Sequence, residues 1–431
     1  MFYLRFCRKF VFLLFLVHTL LPAKGQEKNS FIQALAQKAV ELDPSFLTGR
    51  LTDIQQQQSW SKKIDIGDFS ILGIGEQSHG THEFFKARIS LIRLLVKQQP
   101  VTKIGLEAPM AEVENLNTYL LSDSGDLKMI LKSFQLYSYE CEEFVDLVET
   151  VKMINAQQGK KISFFGFDFQ SPYQVLNNLK RYGRNHELAQ TVDALVSDYT
   201  QLNAYVSQHA ISPDDFRSLD SLSQLVIKPL ETNAKSSRIK DGFLEKNLIQ
   251  YQQFLSLNDP EKNRADVQVM SQMRDSLMAQ NVLREYSSGQ KMILLAHNAH
   301  VQKTADAYSR TMGQFLLQAI GAMQYRCIGL TTSRGFFTAY NQQQQKITAT
   351  NSVSPPDSDA FESYFSKIAK PIFFLPTSGM TALNPDSGPD KYRLLPYGVP
   401  KNQFIRGNLL QAFDYIIHIE NTTGNKSFYL H

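Results

Sequence analysis

The sequence predicts an α/β protein, with a mostly parallel central sheet flanked by helices and a helical insertion covering the active edge. Three observations predict it. Apolar runs of strand length at 69–74, 101–106, 161–167 and 291–296 stop at ionisable residues: Glu76 with His79, Glu107, Asp168, and His297 with His300. Helical periodicity follows the first three of these runs. From about 173 to 288 the apolar residues keep helical spacing with no convincing strand, broken by polar linkers at Ser212-Pro213-Asp214 and Asn258-Asp259-Pro260.

In chain order, residues 31–42 form a short amphipathic helix stopped by Asp43-Pro44. A strand then runs into the loop Gly75-Glu-Gln-Ser-His-Gly80, and a helix begins near Thr81. Pro100 closes that helix, and the next strand ends at Glu107, with Pro109 as its breaker. Helical patterns cover 111–121, 126–134 and 142–156. The aromatic linker 136–140 carries Tyr137 and Tyr139, which either wall a pocket or pack. The strand at 161–167 is stopped by Pro172. After the insertion the sheet resumes at 291–296, then at 325–331 before Ser333-Arg334-Gly335, with short strands at 372–375 and 415–419. Glutamine tracts at 55–58 and 342–345 are surface segments.

A chain of 431 residues, 43% hydrophobic and 20% charged, buries a sizeable core as one large α/β domain spanning 26–431. Residues 1–25 stand apart. Arg5, Arg8 and Lys9 precede an apolar run, then Pro22-Ala-Lys-Gly25, the pattern of an export signal cleaved near Gln26. That segment holds four basic and no acidic residues, so removing it takes the formal net charge from +4 to about zero. No basic patch points to nucleic acid, and the apolar run is too short for a comfortable membrane span. The expectation is a periplasmic or secreted protein without stable membrane insertion. Cys141 and Cys327 remain, a pair that permits one disulfide without demanding it.

The helix after the first loop supplies the sharpest clue. At 100° per residue, Arg88 falls on the face of Phe84, Leu91, Ile92 and Leu95, where a guanidinium needs a partner. If the four strands are parallel neighbours, Glu76, His79, Glu107, Asp168, His297 and His300 project at one edge of one sheet. Each alone has a structural reading: Asp168 as a cap, Glu107 in an ion pair, a histidine as a core residue. Together they read as a site. The chain has no Gly-x-Ser-x-Gly nucleophile elbow. A histidine beside carboxylates instead takes a proton from water and directs that water at a carbonyl, with an Arg or second His on the oxyanion. Two alternatives stay open. One is a metal-dependent hydrolase, although no His-Glu-x-x-His helix is present; the other is a non-catalytic ligand-binding protein.

At these residues the sequence resembles the erythromycin esterase family. The resemblance is carried by Gly75-Glu-Gln-Ser-His-Gly-Thr-His-Glu-Phe-Phe with Arg88, Gly105-Leu-Glu-Ala-Pro109 and Phe165-Gly-Phe-Asp-Phe-Gln-Ser171. It continues in Ala296-His-Asn-Ala-His-Val301 and Met312-Gly-Gln-Phe-Leu316. It implies metal- and cofactor-independent hydrolysis of a small-molecule ester, in its best-known members a macrolide lactone, by a histidine-activated water. It implies His79 as general base, with Glu76, Arg88, Glu107 and one histidine of the Ala296–Val301 block in the catalytic group; of the two candidates there, His297 directly follows the strand and is favoured over His300. His300, Asp168, Tyr137 and Tyr139 are then expected on the substrate side. Members often carry tryptophans where this chain has Tyr137 and Tyr139, so a different substrate pocket is expected.

Overall fold

A parallel sheet covered by helices on both faces needs strands that are apolar throughout, and the four runs that stop at ionisable residues meet that requirement. The computed structural model describes residues 26–48, 54–122, 124–159, 161–184, 188–206, 212–236, 242–263, 266–305, 309–386, 388–395 and 398–430. The expected export signal, residues 1–25, lies outside the described residues. Among those described, no helix is long and apolar enough to cross a membrane.

The strands are β1 (Val40–Glu41), β2 (Ile71–Ile74), β3 (Val101–Pro109), β4 (Ser163–Asp168), β5 (Lys291–Leu295), β6 (Tyr325–Asn341), β7 (Lys346–Val353), β8 (Ile372–Pro376), β9 (Lys391–Arg393), β10 (Phe404–Arg406) and β11 (Tyr415–Thr422). One sheet has the order β1-β8-β11-β6-β2-β5-β3-β4, with β7 beside β6; β9 and β10 form a separate ribbon. The six strands from β11 to β4 in that order are parallel. β1, β7 and β8 join antiparallel. From β2 the chain moves out to β3 and β4, returns to insert β5 beside β2, and leaves on the other side with β6. The carboxyl ends of β2, β5 and β3 therefore surround a reversal of strand order, where open α/β sheets bind their ligands.

Period-two alternation divides the core between the two faces. Ile293 and Leu295 of β5 join Ile74, Ile104 and Leu106 under the helices His82–Gln98 and Glu142–Gln158. Met292 and Leu294 pack on the opposite face with Val301, Met312 and Leu316. Close approach of the β2 and β5 loops leaves no room at Gly75, where a Cβ would stand 2.0 Å from Asn298 Oδ1.

Between β4 and β5 the described elements are all helical: Tyr173–Arg184, Ala189–Val206, Pro213–Ser236, Gly242–Asn258, Pro260–Asn263 and Val267–Glu285. The helices through Asn258 have a core of their own, including Leu179, Leu195, Phe216, Leu230, Leu248 and Tyr251. Val267–Glu285 instead gives Met278, Ala279 and Val282 to the sheet. Buried amides at every third position of Gly242–Asn258 fasten the bundle to its neighbours. Gln250 Oε1 accepts from the Ala111 N–H at 2.8 Å while its Nε2 donates to the Ser171 carbonyl at 2.9 Å. Gln253 and Asn281 exchange hydrogen bonds of 2.9 and 2.8 Å.

Several boundaries differ from the sequence reading, each for a tertiary reason. The first helix covers residues 26–38 and gives way to β1, which covers the edge of β8. β3 runs through Pro109 because its β5 neighbour has ended and its register with β4 is already irregular, so a missing N–H breaks no regular ladder. β6 continues past Ser333-Arg334-Gly335 because Gly335, at φ 121°, bends the strand where a Cβ would lie 2.1 Å from the Thr422 carbonyl oxygen. Residues 342–345 are the turn of the β6–β7 hairpin. Cys141 and Cys327 are both buried and both free thiols.

Candidate active site

The loop after β2 is held from both sides before any chemistry is considered. The Gln77 carbonyl accepts the Leu395 N–H at 2.8 Å, and the Gly80 carbonyl accepts the N–H groups of Thr338 and Asn425, each at 2.9 Å. The Gln77 side chain donates to Glu362 Oε1 at 2.8 Å and accepts from the Thr332 N–H at 2.8 Å. Thr81 then caps the helix His82–Gln98 in extended conformation, and Arg88 lies on its buried face.

On this support Glu76 and His79 meet. His79 Nδ1 is 3.0 Å from Glu76 Oε1, and Arg88 Nη1 donates to Glu76 Oε2 at 2.6 Å. A carboxylate only accepts, so Nδ1 carries a proton and donates it to Glu76. Arg88 Nη2 donates to the carbonyls of Ile74 (3.1 Å) and Ala296 (2.6 Å), tying the ends of β2 and β5 together. Both terminal nitrogens of Arg88 are thus engaged. The guanidinium orients Glu76 in this arrangement.

The His297 ring lies 4.9 Å from that of His79, centroid to centroid, tilted by 39°. Its Nδ1 accepts from the Ala299 N–H at 3.3 Å, which fixes the proton on Nε2, donated to the Gln77 carbonyl at 3.0 Å. Burial, helped by the neighbouring His79, pushes its pKa down to about 3. His297 is therefore neutral, with both ring nitrogens engaged by backbone. Glu107 reaches the same place from β3: its Oε2 accepts the His297 N–H at 2.7 Å. Burial opposes its charge, yet His300, His79 and Arg274 together hold its pKa well below the usual carboxylate range.

His300 turns the other way, one helical turn on. Its Nδ1 lies 2.7 Å from Asp275 Oδ1 and its Nε2 lies 3.2 Å from Glu107 Oε1. Burial would discharge the ring, but the Asp275 and Glu107 carboxylates outweigh it and raise the pKa to about 10. The imidazolium donates from Nδ1 to Asp275, and its Nε2 stands between Glu107 Oε1 at 3.2 Å and Arg274 Nη1 at 3.0 Å, whose charge opposes it without overturning it. Asp168 accepts from Arg274 Nε (3.3 Å) and Nη2 (2.8 Å) and from its neighbour's backbone N–H.

The structure thus brings together Glu76, His79, Arg88, Glu107, His297 and His300, with Asp168 behind them. Tyr137 is half-buried near Glu76, and its hydroxyl pKa is pushed up by burial, with Glu76 adding to the effect. Tyr139, also expected beside the substrate, packs its ring against Phe144 at 4.9 Å and Phe134 at 5.8 Å, where the linker 136–140 sits against the apolar core. Sequence reasoning missed Arg274, Asp275, Gln77 and Glu362. The face argument applied to Arg88 would have found the first two, since Arg274 and Asp275 share a helix side with Met278 and Val282. Nothing local marks Gln77 or Glu362. Among the described residues, no group of three or more His, Cys, Asp or Glu side chains is disposed to hold a metal ion.

A buried histidine pair flanked by an arginine-locked carboxylate, at the strand-order reversal of a parallel sheet, defines an α/β protein with a polar catalytic-type centre. The sequence profile of the erythromycin esterases matches residues 96–422, and the chain belongs to that family. It is 26% identical to erythromycin esterase type II of Escherichia coli over 309 residues, 64% of this chain and 71% of that protein. With the type I enzyme of the same organism it shares 24% over 318 residues, covering 63% and 74%. Solved structures share the fold. A Bacillus cereus protein superposes with a TM-score of 0.74 at 20% identity, over 93% of this chain and 99% of that one. A mutant of the erythromycin esterase EreC in its open conformation gives 0.70 at 20% identity, over 91% and 99%.

Proposed function

We propose that the protein is a carboxylic-ester hydrolase in which His79 activates water. The observation that carries this reading is the Glu76–His79 pair, with Glu76 fixed by Arg88. In this scheme His79 Nε2 takes a proton from water, and the hydroxide oxygen bonds to the ester carbonyl carbon. Collapse of the tetrahedral intermediate breaks the bond to the alcohol oxygen, which recovers the proton from the imidazolium; alcohol and carboxylic acid leave, and the acid loses its remaining water-derived proton to solvent. Glu76 orients the ring and stabilises the imidazolium, and Glu107 adds a second negative charge nearby. Macrolide lactones are the substrates that family membership favours.

Purified protein lacking residues 1–25 is expected to hydrolyse erythromycin or members of a simple ester panel. His79→Ala is expected to lose about 100-fold or more of kcat. Activity that survives the substitution removes His79 from the mechanism. Stoichiometric metal in protein purified without added ions, with turnover abolished by a chelator, replaces the scheme with metal-assisted hydrolysis. We further propose export to the periplasm or medium, supported by the pattern of residues 1–25; retention of the full-length chain in the cytosol on fractionation refutes it.

A further inference from the structure

Arg274 comes from the insertion, on the helix Val267–Glu285, yet its side chain is 15% exposed and ends among residues of the sheet. Its Nη2 donates to Glu107 Oε1 at 3.0 Å and to Asp168 Oδ2 at 2.8 Å, and its Nε donates to Asp168 Oδ1 at 3.3 Å. Its Nη1 stands 3.0 Å from His300 Nε2. One planar group therefore spans the ends of β3 and β4 and the segment after β5. A lysine has no comparable fork.

The consequence for Glu107 follows from its two oxygens. Oε2 is held by the His297 backbone N–H, and Oε1 by Arg274 and His300. Without the guanidinium, two buried carboxylates, Glu107 and Asp168, would share a low-dielectric space with His300, His79 and the neutral His297 as their remaining company. Like charges so placed shift one group towards protonation or apart from the other.

We infer that Arg274 is a positioning residue for Glu107, and that through it the helical insertion is an obligatory part of the site rather than a cover over a finished one. The inference rests on the hydrolase reading for its kinetic consequence, since Glu107 is the second carboxylate near the imidazolium formed at His79. Its structural half stands without that reading.

Arg274→Ala is expected to lower kcat about 100-fold with KM changed less than about threefold, and to move the acid limb of the kcat profile to higher pH as Glu107 takes up a proton. Millimolar guanidinium chloride is expected to restore part of kcat, and ammonium chloride at the same concentration is not. Arg274→Lys, which keeps the charge without the fork, is expected to fall between, and serves in the same assays should the alanine variant fail to fold. The readout independent of turnover is the side-chain carboxyl ¹³C signal of Glu107. It is expected to stay ionised between about pH 4 and 9 in the parent protein and to titrate within that window in the variant. Unchanged kcat, or a loss that guanidinium does not rescue while the Glu107 carboxyl titrates as in the parent, overturns the inference. A parent protein inactive on every ester defeats the hydrolase reading instead, and the Glu107 titration then decides the positional claim.

Discussion

Glu112 offers a stability measurement whose size and sign follow from its surroundings. It lies in the first turn of Met110–Ser122, fully buried, where a helix dipole would favour its charge. Burial wins. Its Oε1 has no hydrogen-bond partner, Gln250 Nε2 reaches Oε2 only at 3.4 Å, and Asp168 is near enough to add repulsion. The pKa rises from 4.5 to about 7. A group held protonated by the fold contributes stability that is complete below the unfolded value, is lost as pH climbs from 4.5 through 7, and does not change further above that. At 1.36 kcal/mol per unit, the shift amounts to about 3 kcal/mol. Glu112→Gln keeps the shape and removes the titration. Urea denaturation at steps between about pH 5 and 8 is expected to show the parent losing this component, and the variant gaining on it steadily to about 3 kcal/mol at the alkaline end. A difference between the two proteins that stays constant with pH refutes the reasoning.

Three further outcomes are expected. Arg88→Met leaves Glu76 buried without its cation and two strand-end carbonyls without their donor, and should destabilise the fold by about 3–5 kcal/mol in the same denaturation assay; a loss below about 1 kcal/mol would mean that the pair is solvated. The His297 ring, protonated at Nε2 and with its pKa near 3, should show no titration in ¹H–¹⁵N spectra as pH falls through about 6.5, and a midpoint there contradicts the assigned hydrogen bonds. Its depressed pKa means that stability from the buried neutral ring is present above about 6.5 and falls at about 1.4 kcal/mol per unit as pH drops towards 3. Cys141 and Cys327, buried with their thiol pKa values pushed up by burial first and by Glu143 and Asp414 next, should resist a thiol reagent in the native protein. Both should react once it is denatured; rapid native reaction of either locates an opening that the packing does not contain.

The sequence by itself determined the alternation of strands and helices, the helical run between β4 and β5, and the polar residues that end each strand. Apolar period and breaker residues are local properties, and they survive without knowledge of neighbours. It also marked Arg88, because a charge on an apolar helix face is visible from spacing. Tertiary structure decided the rest. Strand order alone brings the end of β5 between those of β2 and β3, so that Glu107 meets His297 and Arg88 ties two carbonyls that lie far apart in the chain. Which histidine is neutral and which is charged was equally hidden. His297 and His300 are three residues apart in one short helix-and-cap segment, and their pKa values diverge because one faces backbone and an imidazole while the other faces Asp275 and Glu107. Arg274 could have been marked by its helix face, as Arg88 was, but its partners could not: they belong to three separate segments, and only the folded chain supplies the carboxylates that make its buried charge tolerable.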